Sequence, residues 1–416
     1  MSFTSLALDS TLIKALKESG YQEPTPIQRE AIPAIIAKHD IMAGAQTGTG
    51  KTAAFALPIL QKLLLTTDKR SVRALVLTPT RELAQQVFKS IDTYGKYTSV
   101  KTAIAYGGVS INPQIEALKA GADILVATPG RLLDHLINGS LSLENLEYLV
   151  FDEADRMLDM GFKDEINNIL KRIPSKTQTL LFSATFDDAI FKLSKTLLKK
   201  PKLIEVSERN TAATQVEQIV YTVDADRKRE LTSFLIGSKN WRQVLIFTRT
   251  KQGADALAKE MCKDGLKTQS IHGDKSQGAR DKALSEFKEG KVRALVATDV
   301  AARGIDIIDL HYVINYELPY IPEDYIHRIG RTGRAGNAGL AISLMSPDEE
   351  WLLKAVEEVL DTHLLQQWLP GYEPDLTKKS KSEQRNNSGT NKKRARQKAL
   401  GEDRGKTRKS NQRRRR

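Results

Sequence analysis

A short apolar run that ends in a polar residue and leads into a helix-like stretch recurs along the chain. The first half contains ALVLTPTREL, DILVATPGRLL, YLVFDEAD and TLLFSAT, and the second half contains QVLIFTRT, ALVATDVAARG and YVINYELP. Runs that are apolar at every position are typical of parallel strands buried on both faces of a sheet. Their alternation with helical stretches predicts an α/β fold with doubly wound parallel sheets.

The pattern occurs twice, and a polar segment separates the two copies. SERNTAATQVEQ interrupts the apolar runs near residues 207–218, and the prolines and glycine of WLPGYEPDL end the second copy. The sequence therefore predicts two tandem domains, at residues 1–207 and 219–368, joined by a linker at 208–218. Residues 369–416 form a predicted tail.

The positive charge of the chain is concentrated in this tail. The net charge of the whole chain is +13. Residues 377–416 contain 17 lysines and arginines and 3 acids, whereas the rest of the chain is nearly neutral. The tail lacks aliphatic periodicity, so we expect it to be disordered. Such a basic block attracts phosphate backbones by counterion release, which predicts a polyanion-binding arm. A solvated tail that only aids solubility is the alternative.

Several classes of protein are disfavoured by composition. The sequence has no apolar stretch of about 18 residues, so no membrane span is expected. The N-terminal residues lack a basic-then-apolar signal pattern. Cys262 is the single cysteine, which excludes an intrachain disulfide and fits a reducing compartment. We therefore expect a cytoplasmic protein.

The segment AGAQTGTGKT, Ala43–Thr52, resembles a phosphate-binding loop of the form G-x-x-x-x-G-K-[ST], with Ala45 at the first glycine position. A strand-like DIMAGA precedes it and a helix-like KTAAFALPILQKLL follows it, which is the context such a loop needs. Backbone N–H groups would hold phosphate oxygens. Lys51 would neutralise the outer phosphates, and Thr52 would offer its hydroxyl to Mg²⁺.

Three carboxylates, Asp152, Glu153 and Asp155, crowd the end of the strand-like YLVF although like charges repel. Ligands of open α/β sheets sit beyond the carboxyl ends of the strands, so these acids face a ligand crevice. We predict that Asp152 holds Mg²⁺, partly through water, and that Glu153 orients and deprotonates an attacking water. Asp155 is placed to tie this loop to Ser183 and Thr185. An exposed acidic helix start is the alternative.

Positive charge for phosphoryl transfer comes from HRIGRTGRAG, His327–Gly336, in the second domain. Its arginines recur at every third position among glycines. We predict that Arg331 and Arg334 reach the γ-phosphate of ATP when the domains close. ATP then acts as a clamp between the domains, and hydrolysis releases it.

With these motifs, about residues 1–370 resemble the DEAD-box RNA helicases, whose four letters stand at Asp152–Asp155. The resemblance implies two tandem RecA-like domains. Ala45 is usual in this family, and Tyr21 replaces a frequent phenylalanine. The compact core, the WLPGYEP end and the basic tail look like the bacterial RhlE type. That subgroup implies a setting in ribosome assembly or RNA turnover, with ribosomal precursors or RNA-decay proteins as partners.

The resemblance also implies roles for individual residues. It implies that Gln28 hydrogen-bonds to the edge of the adenine base and that Phe3 and Tyr21 are aromatic contacts of the nucleotide. The other nucleotide positions are Ala45, Gln46, Thr47, Gly48, Thr49, Gly50, Lys51, Thr52 and Asp306. The catalytic positions are Lys51, Asp152, Glu153, Arg331 and Arg334, and the coupling positions are Asp155, Ser183, Thr185 and His327. The RNA-binding positions are Pro79, Thr80, Arg81, Gly108, Thr128, Arg131, Arg249, Gly273, Arg280 and Thr298.

These roles imply an RNA-stimulated ATPase that clamps, bends and locally unwinds RNA duplexes. Contacts to the sugar–phosphate backbone predict poor sequence specificity, and the 2′-hydroxyl favours RNA over DNA. Two alternatives remain open. One is a DNA-acting or translocating motor of the same superfamily, against which the Gln28 segment and the DEAD letters argue. The other is an ATP-gated RNA clamp that nucleates a ribonucleoprotein without needing turnover.

Overall fold

The computed structural model describes residues 2–44, 49–65, 71–186, 188–205, 216–302, 310–333 and 339–375. They form two α/β domains, the N-terminal domain up to residue 205 and the C-terminal domain from residue 216. The predicted fold class is confirmed, because each domain contains a seven-stranded parallel sheet with flanking helices.

The N-terminal sheet has the strand order β3-β4-β2-β5-β6-β1-β7. Its strands are β1 Ile41–Gly44, β2 Ala74–Leu77, β3 Thr102–Ala105, β4 Ile124–Ala127, β5 Tyr148–Phe151, β6 Gln178–Ser183 and β7 Lys202–Glu205. Its helices are α1 Ser10–Glu18, α2 Pro26–Ile36, α3 Lys51–Leu64, α4 Arg81–Tyr94, α5 Asn112–Lys119, α6 Pro129–Ile137, α7 Ala154–Asp159, α8 Lys163–Leu170 and α9 Asp188–Leu197, preceded by a 3-10 turn at Phe3–Leu6.

The C-terminal sheet, with the order β10-β11-β9-β12-β13-β8-β14, repeats the strand order of the first. Its strands are β8 Val216–Thr222, β9 Val244–Thr248, β10 Thr268–Ile271, β11 Ala294–Thr298, β12 Tyr312–Asn315, β13 Gly339–Met345 and β14 Gln366–Gln367. Its helices are α10 Lys228–Ser238, α11 Lys251–Lys263, α12 Gln277–Lys288, α13 Asp299–Ala302, α14 Pro322–Ile329 and α15 Glu350–Leu360, with a 3-10 turn at Pro347–Glu349.

Strand β2 shows why the continuous apolar runs become central strands. Ala74 and Val76 pack into the apolar cluster on one face of the sheet, and Leu75 and Leu77 pack into the cluster on the other face. All four side chains are buried. A strand covered on both faces needs an apolar residue at every position, which is the pattern that the sequence showed.

The packed part of the C-terminal domain is longer than the predicted interval 219–368. Strand β8 begins at Val216, inside the predicted linker. At the other end, Leu369 and Tyr372 pack against the domain's apolar core, and Arg227 donates a hydrogen bond of 2.8 Å to the carbonyl of Gly371. Residues 369–375, predicted as tail, therefore belong to the domain. Residues 376–416 lie outside the described part of the chain.

The two domains touch through charged side chains. Arg280 of α12 forms an ion pair of 2.7 Å with Glu82 of α4, and Arg156 of α7 forms one of 2.8 Å with Asp324 of α14. These contacts hold the carboxyl ends of the two sheets against each other. Within the described residues, no helix combines the length and the apolar character needed to cross a membrane.

Candidate functional site: a cleft between the two domains

The phosphate loop connects the end of β1 to the start of α3. Gly50 precedes the helix with φ of +90°, a conformation that favours glycine, and Lys51 begins the helix. The Lys51 side chain is 7% exposed, and its Nζ has no hydrogen-bond partner among the described residues. Ala45, Gln46, Thr47 and Gly48 lie outside the described residues. Thr49 and half-buried Thr52 flank the glycine and lysine.

Gln28 links α2 to this loop. Its Oε1 accepts a hydrogen bond of 3.0 Å from the N–H of Thr25, and its Nε2 donates one of 3.1 Å to the carbonyl of Gly50. A Cβ at Gly50 would collide with this amide, so glycine is required there for a second reason. A glutamine side chain can make four hydrogen bonds, so one N–H and one lone pair remain for the predicted adenine contact.

The two aromatic residues predicted near the adenine contact each other. Phe3 is buried in the domain core and meets Tyr21 edge to face, with ring centroids 6.4 Å apart. The hydroxyl of Tyr21 lies 2.8 Å from that of Tyr94. Phe3 therefore has a packing role beneath Tyr21, and stacking of either ring on a base stays a prediction.

The three acids occupy the turn between β5 and α7, and all three are buried. Burial raises the pKa of Asp152 to about 6, with repulsion from Glu153 and Asp155 acting in the same direction and attraction by Lys51 opposing it. The Oδ1 atom of Asp152 has no hydrogen-bond partner in the described part of the chain. Glu153 has φ of 57°, which is uncommon for a residue with a side chain.

The predicted tie between the acidic turn and the SAT segment at the end of β6 is present as a contact. The hydroxyl of Thr185 donates a long hydrogen bond of 3.4 Å to Oδ2 of Asp155. Ser183 donates a bond of 2.7 Å to the carbonyl of Thr185. The structure thus brings Asp155, Ser183 and Thr185 together at the ends of the neighbouring strands β5 and β6.

The residues at this cleft fit a magnesium triphosphate. Burying a charged group without a partner costs on the order of several kcal/mol. Lys51 Nζ and Asp152 Oδ1 are buried without a hydrogen-bond partner in the described part of the chain, so a ligand that pairs with both would stabilise the site. A cation would also relieve the repulsion among the carboxylates. Carboxylate and hydroxyl oxygens, from Asp152 and Thr52, are ligands that Mg²⁺ accepts beside phosphate oxygens and water.

The arginine segment of the second domain lies on α14 and just after it. Arg328 is fully buried and forms two bonds to the carboxylate of Asp299, of 2.5 and 2.8 Å. Arg331 is also buried, and its Nε donates a bond of 3.3 Å to the carbonyl of His327. Arg331 and His327 line a small cavity with Asp299 and Asp324. Arg334 and Asp306 lie outside the described residues.

The RNA-binding positions predicted for the N-terminal domain cluster at the ends of β2, β3 and β4. The guanidinium of Arg81 lies against Gly108, where φ is +80° and a Cβ would collide with it. Arg131 donates a bond of 2.9 Å to the carbonyl of Val109. Pro79 and Thr80 precede α4, and Thr128 precedes α6. The structure therefore places all six predicted positions on one rim of the sheet.

The predicted positions of the C-terminal domain divide into two groups. Arg280 faces the rim of the other domain that carries the six predicted RNA-binding positions, hereafter called the RNA rim. Gly273 is exposed, and Thr298 ends β11. Arg249 is different, because it pairs with Glu317 at 3.3 Å and with Glu349 at 2.6 Å. Its carboxylate partners favour a structural role over a phosphate contact.

Three of the four residues in the ion pairs between the domains, Glu82, Arg156 and Asp324, were not among the predicted site residues. Glu82 stands inside the quoted segment ALVLTPTREL and Arg156 directly follows the quoted segment YLVFDEAD, so a signal for their importance was present. Their partners are far away along the chain; Arg156 and Asp324 are 168 residues apart. Asp299, which anchors Arg328 and is itself partly exposed, was missed for the same reason. A single sequence contains no signal that pairs such residues.

Family models match both domains. The model described as DEAD/DEAH box helicase matches residues 25–193, and the model described as helicase conserved C-terminal domain matches residues 226–336. The chain is similar to the DEAD-box ATP-dependent RNA helicase RhpA of Helicobacter pylori, with 42% identity over 87% of this chain and 73% of that protein. It is also similar to the ATP-dependent RNA helicase CshA of Listeria monocytogenes, with 43% identity over 86% of this chain and 68% of that protein.

A solved structure resembles the whole two-domain arrangement. Dbp5 of Saccharomyces cerevisiae, bound to RNA and ADP BeF3, aligns with a TM-score of 0.81 at 30% identity. The alignment covers 96% of this chain and 99% of that one. Because it spans both domains, the likeness extends to the way in which the domains face each other.

Proposed function

This chain belongs to the DEAD-box ATP-dependent RNA helicase family, and from that premise we propose that it hydrolyses ATP to clamp, bend and locally unwind RNA. The observation that carries the proposal is the pair of buried, unpartnered polar atoms at the cleft, Lys51 Nζ and Asp152 Oδ1. The two groups attract each other: burial raises the pKa of Asp152, and the positive charge of Lys51 lowers it. A triphosphate with its magnesium supplies the partner that each of them lacks.

The residues of the cleft have different roles in ATP hydrolysis. Lys51 holds the outer phosphates at the N-terminus of α3, whose free N–H groups also favour an anion. Mg²⁺, when bound, neutralises phosphate charge. Glu153 orients the attacking water and accepts its proton, and the surrounding turn holds its backbone in the left-handed region. Arg331, with Arg334, stabilises the charge that develops on the γ-phosphate.

RNA lies along the rim formed by Arg81, Gly108, Arg131 and Arg280. Arginine side chains and helix N-termini at this rim suit phosphate oxygens, so the chain holds the RNA backbone and reads little sequence. The ion pair between Glu82 and Arg280 places the rims of both domains side by side. A strand gripped by both rims follows the shape of the closed protein, and its bend is incompatible with continuous pairing.

The biological setting is a separate part of the proposal. The RhlE-like subgroup stays a prediction, since the relatives described above are RhpA and CshA. Ribosome assembly or RNA turnover fits an enzyme that opens short duplexes without sequence preference. The single cysteine fits a reducing compartment such as the cytoplasm. The basic tail adds RNA affinity by counterion release.

The test compares ATP hydrolysis by the full-length protein alone, with RNA, and with DNA of the same sequence. We expect RNA to raise the rate far more than DNA does. Lys51→Ala should abolish ATP binding and hydrolysis. Lys62→Ala, in the last turn of the same helix, should leave both intact. Equal rates with and without RNA contradict the proposal, and equal stimulation by DNA favours the DNA-acting motor.

The clamp without turnover is distinguished by Glu153→Gln. This variant should bind ATP and RNA but hydrolyse ATP far more slowly, because the water loses its base. In cells that lack the wild-type protein, a helicase loses its function with this substitution. A variant that complements fully favours the clamp.

A further inference from the structure

The ion pair between Arg156 and Asp324 is buried at the boundary of the two domains. Nη1 of Arg156 lies 2.8 Å from Oδ1 of Asp324, and the two side chains are 5% and 8% exposed. Burial opposes the charge of Arg156, but the carboxylates of Asp155 and Asp324 raise its pKa. The pair is therefore shielded from water while the domains touch.

Both partners stand next to residues of the proposed reaction. Arg156 directly follows Asp155, which contacts Thr185, and it lies three positions after Glu153. Asp324 lies in the first turn of α14, on the helix that ends beside Arg331. Arg156 and Asp324 are thus a direct connection between the carboxylate turn of one domain and the arginine segment of the other.

We propose that Arg156 and Asp324 form a closure-dependent latch, which positions the arginine segment against the acidic turn. The inference rests on the proposed function, and it gives both residues a positioning role. Neither side chain is assigned a contact with ATP or RNA. The latch makes the arrangement of the nucleotide site depend on full contact between the domains.

The physics of buried ion pairs explains why a latch of this kind acts as a switch. Forming the pair gains little net free energy, because desolvation of two charges offsets their attraction. Removing one charge is costly, because the other stays buried without compensation. When the domains are apart both charges are hydrated, so the cost falls on the closed state alone.

A second contact of Arg156 prepares it for this role. Asp159, on the same helix, lies 3.1 Å from its Nη1. This pair lies within α7, so it does not require domain contact, and in the proposal it keeps the guanidinium near this position when the domains are apart. Closure then orders fewer side-chain torsions, which lowers the entropic cost of forming the latch.

The latch is tested with Arg156→Met, Asp324→Asn and the double variant in the full-length protein. A charge swap is a poor choice, since an acid at position 156 would face Asp155 and Asp159. Each single change should lower RNA-stimulated turnover at least about tenfold, because one buried charge loses its partner. The double variant should lose much less than the product of the single effects, as expected for coupled sites.

A second readout separates positioning from a general structural role. A dye pair on exposed Cys262 and on an introduced Ser99→Cys reports the distance between the domains. With ATP analogue and RNA, the single variants should populate the closed state less than the parent does. Their affinity for ADP without RNA and their melting temperature should match the parent, since the latch is absent when the domains are apart.

The exposed pair Lys119 and Glu116 on α5 supplies the matched control. Lys119→Met should change neither turnover nor closure. Single variants at the latch with wild-type stimulation and closure, or additive effects in the double variant, overturn the inference. A wild-type protein that RNA does not stimulate contradicts the proposed function instead, so the two failures are distinct.

Discussion

Glu82 and Arg280 form an ion pair of 2.7 Å that joins the RNA rims of the two domains, with side chains 5% and 9% exposed. Gln277 donates a further bond of 3.2 Å to Oε1 of Glu82. The Nε of Arg280 has no hydrogen-bond partner in the described part of the chain, so this arginine retains a donor for a ligand. It ties the two domains, and we propose that it also holds an RNA phosphate.

This double role gives a prediction about salt dependence. Glu82→Gln removes the tie alone, whereas Arg280→Met removes the tie and one phosphate contact. Both variants should weaken RNA binding in the presence of an ATP analogue. Only Arg280→Met should flatten the plot of log affinity against log salt, by about one unit of slope. Equal slopes in both variants would leave Arg280 as a domain tie only.

The two adjacent glycines after β3 give a second prediction with its own control. Gly108 has φ of +80°, and a Cβ there would collide with the guanidinium of Arg81. Gly108→Ala should displace that arginine and lower RNA affinity about tenfold, the scale of one charge-assisted hydrogen bond. Gly107 has open space at its Cβ position. Gly107→Ala should therefore bind RNA as the wild type does, in the same titration.

The fold followed from sequence because local rules determine it. Continuous apolar runs became buried parallel strands, and polar residues at their ends became a functional rim. Lys51 and Asp152 were predicted from motifs with fixed local spacing, and Gly108 from the family resemblance. The side-chain partners were not predictable in this way. Arg280 bonds to Glu82 and Arg249 to Glu317 and Glu349, and these pairings depend on how distant segments pack.

Arg249 illustrates the difference and gives a third prediction. The family resemblance places it among RNA contacts, yet Glu317 and Glu349 bind its guanidinium, which also lies over the ring of Tyr320. Arg249→Met should destabilise the protein by about 2–4 kcal/mol, because Glu317 loses its counter-charge and buried Glu349 keeps only that of Lys228. The salt slope of RNA binding should stay unchanged. Unfolding by denaturant and RNA titration measure the two quantities.

The exposed pair of Lys263 and Glu260 on α11 is the control for this change. Lys263→Met should alter stability by less than about 1 kcal/mol, as for other surface ion pairs. If Arg249→Met keeps its stability but flattens the salt slope, the arginine contacts phosphate and the structural role is wrong.

The last prediction concerns the free energy that the acidic turn costs the folded protein without ligand. Burial and two neighbouring carboxylates raise the pKa of Asp152 from 3.8 to about 6. A carboxyl group with a higher pKa in the folded state favours folding when protonated. Its contribution is present below pH 3.8 and is lost as the pH rises to about 6. The full loss is up to about 3 kcal/mol, at about 1.36 kcal/mol per unit.

Asp152→Asn removes this titration while keeping the shape of the side chain. Without nucleotide, the variant should melt several degrees higher than wild type at pH 8, and the difference should shrink towards pH 4. Adding ATP and Mg²⁺ should stabilise the wild type strongly and the variant weakly, because the asparagine is a poorer ligand. Asp92→Asn, at an exposed position of α4, should show no such difference at any pH. If Asp152→Asn and the wild type have the same melting temperature at pH 8, other groups of the folded chain already stabilise the charged carboxylate. The crowded acids would then need no cation to relieve their repulsion.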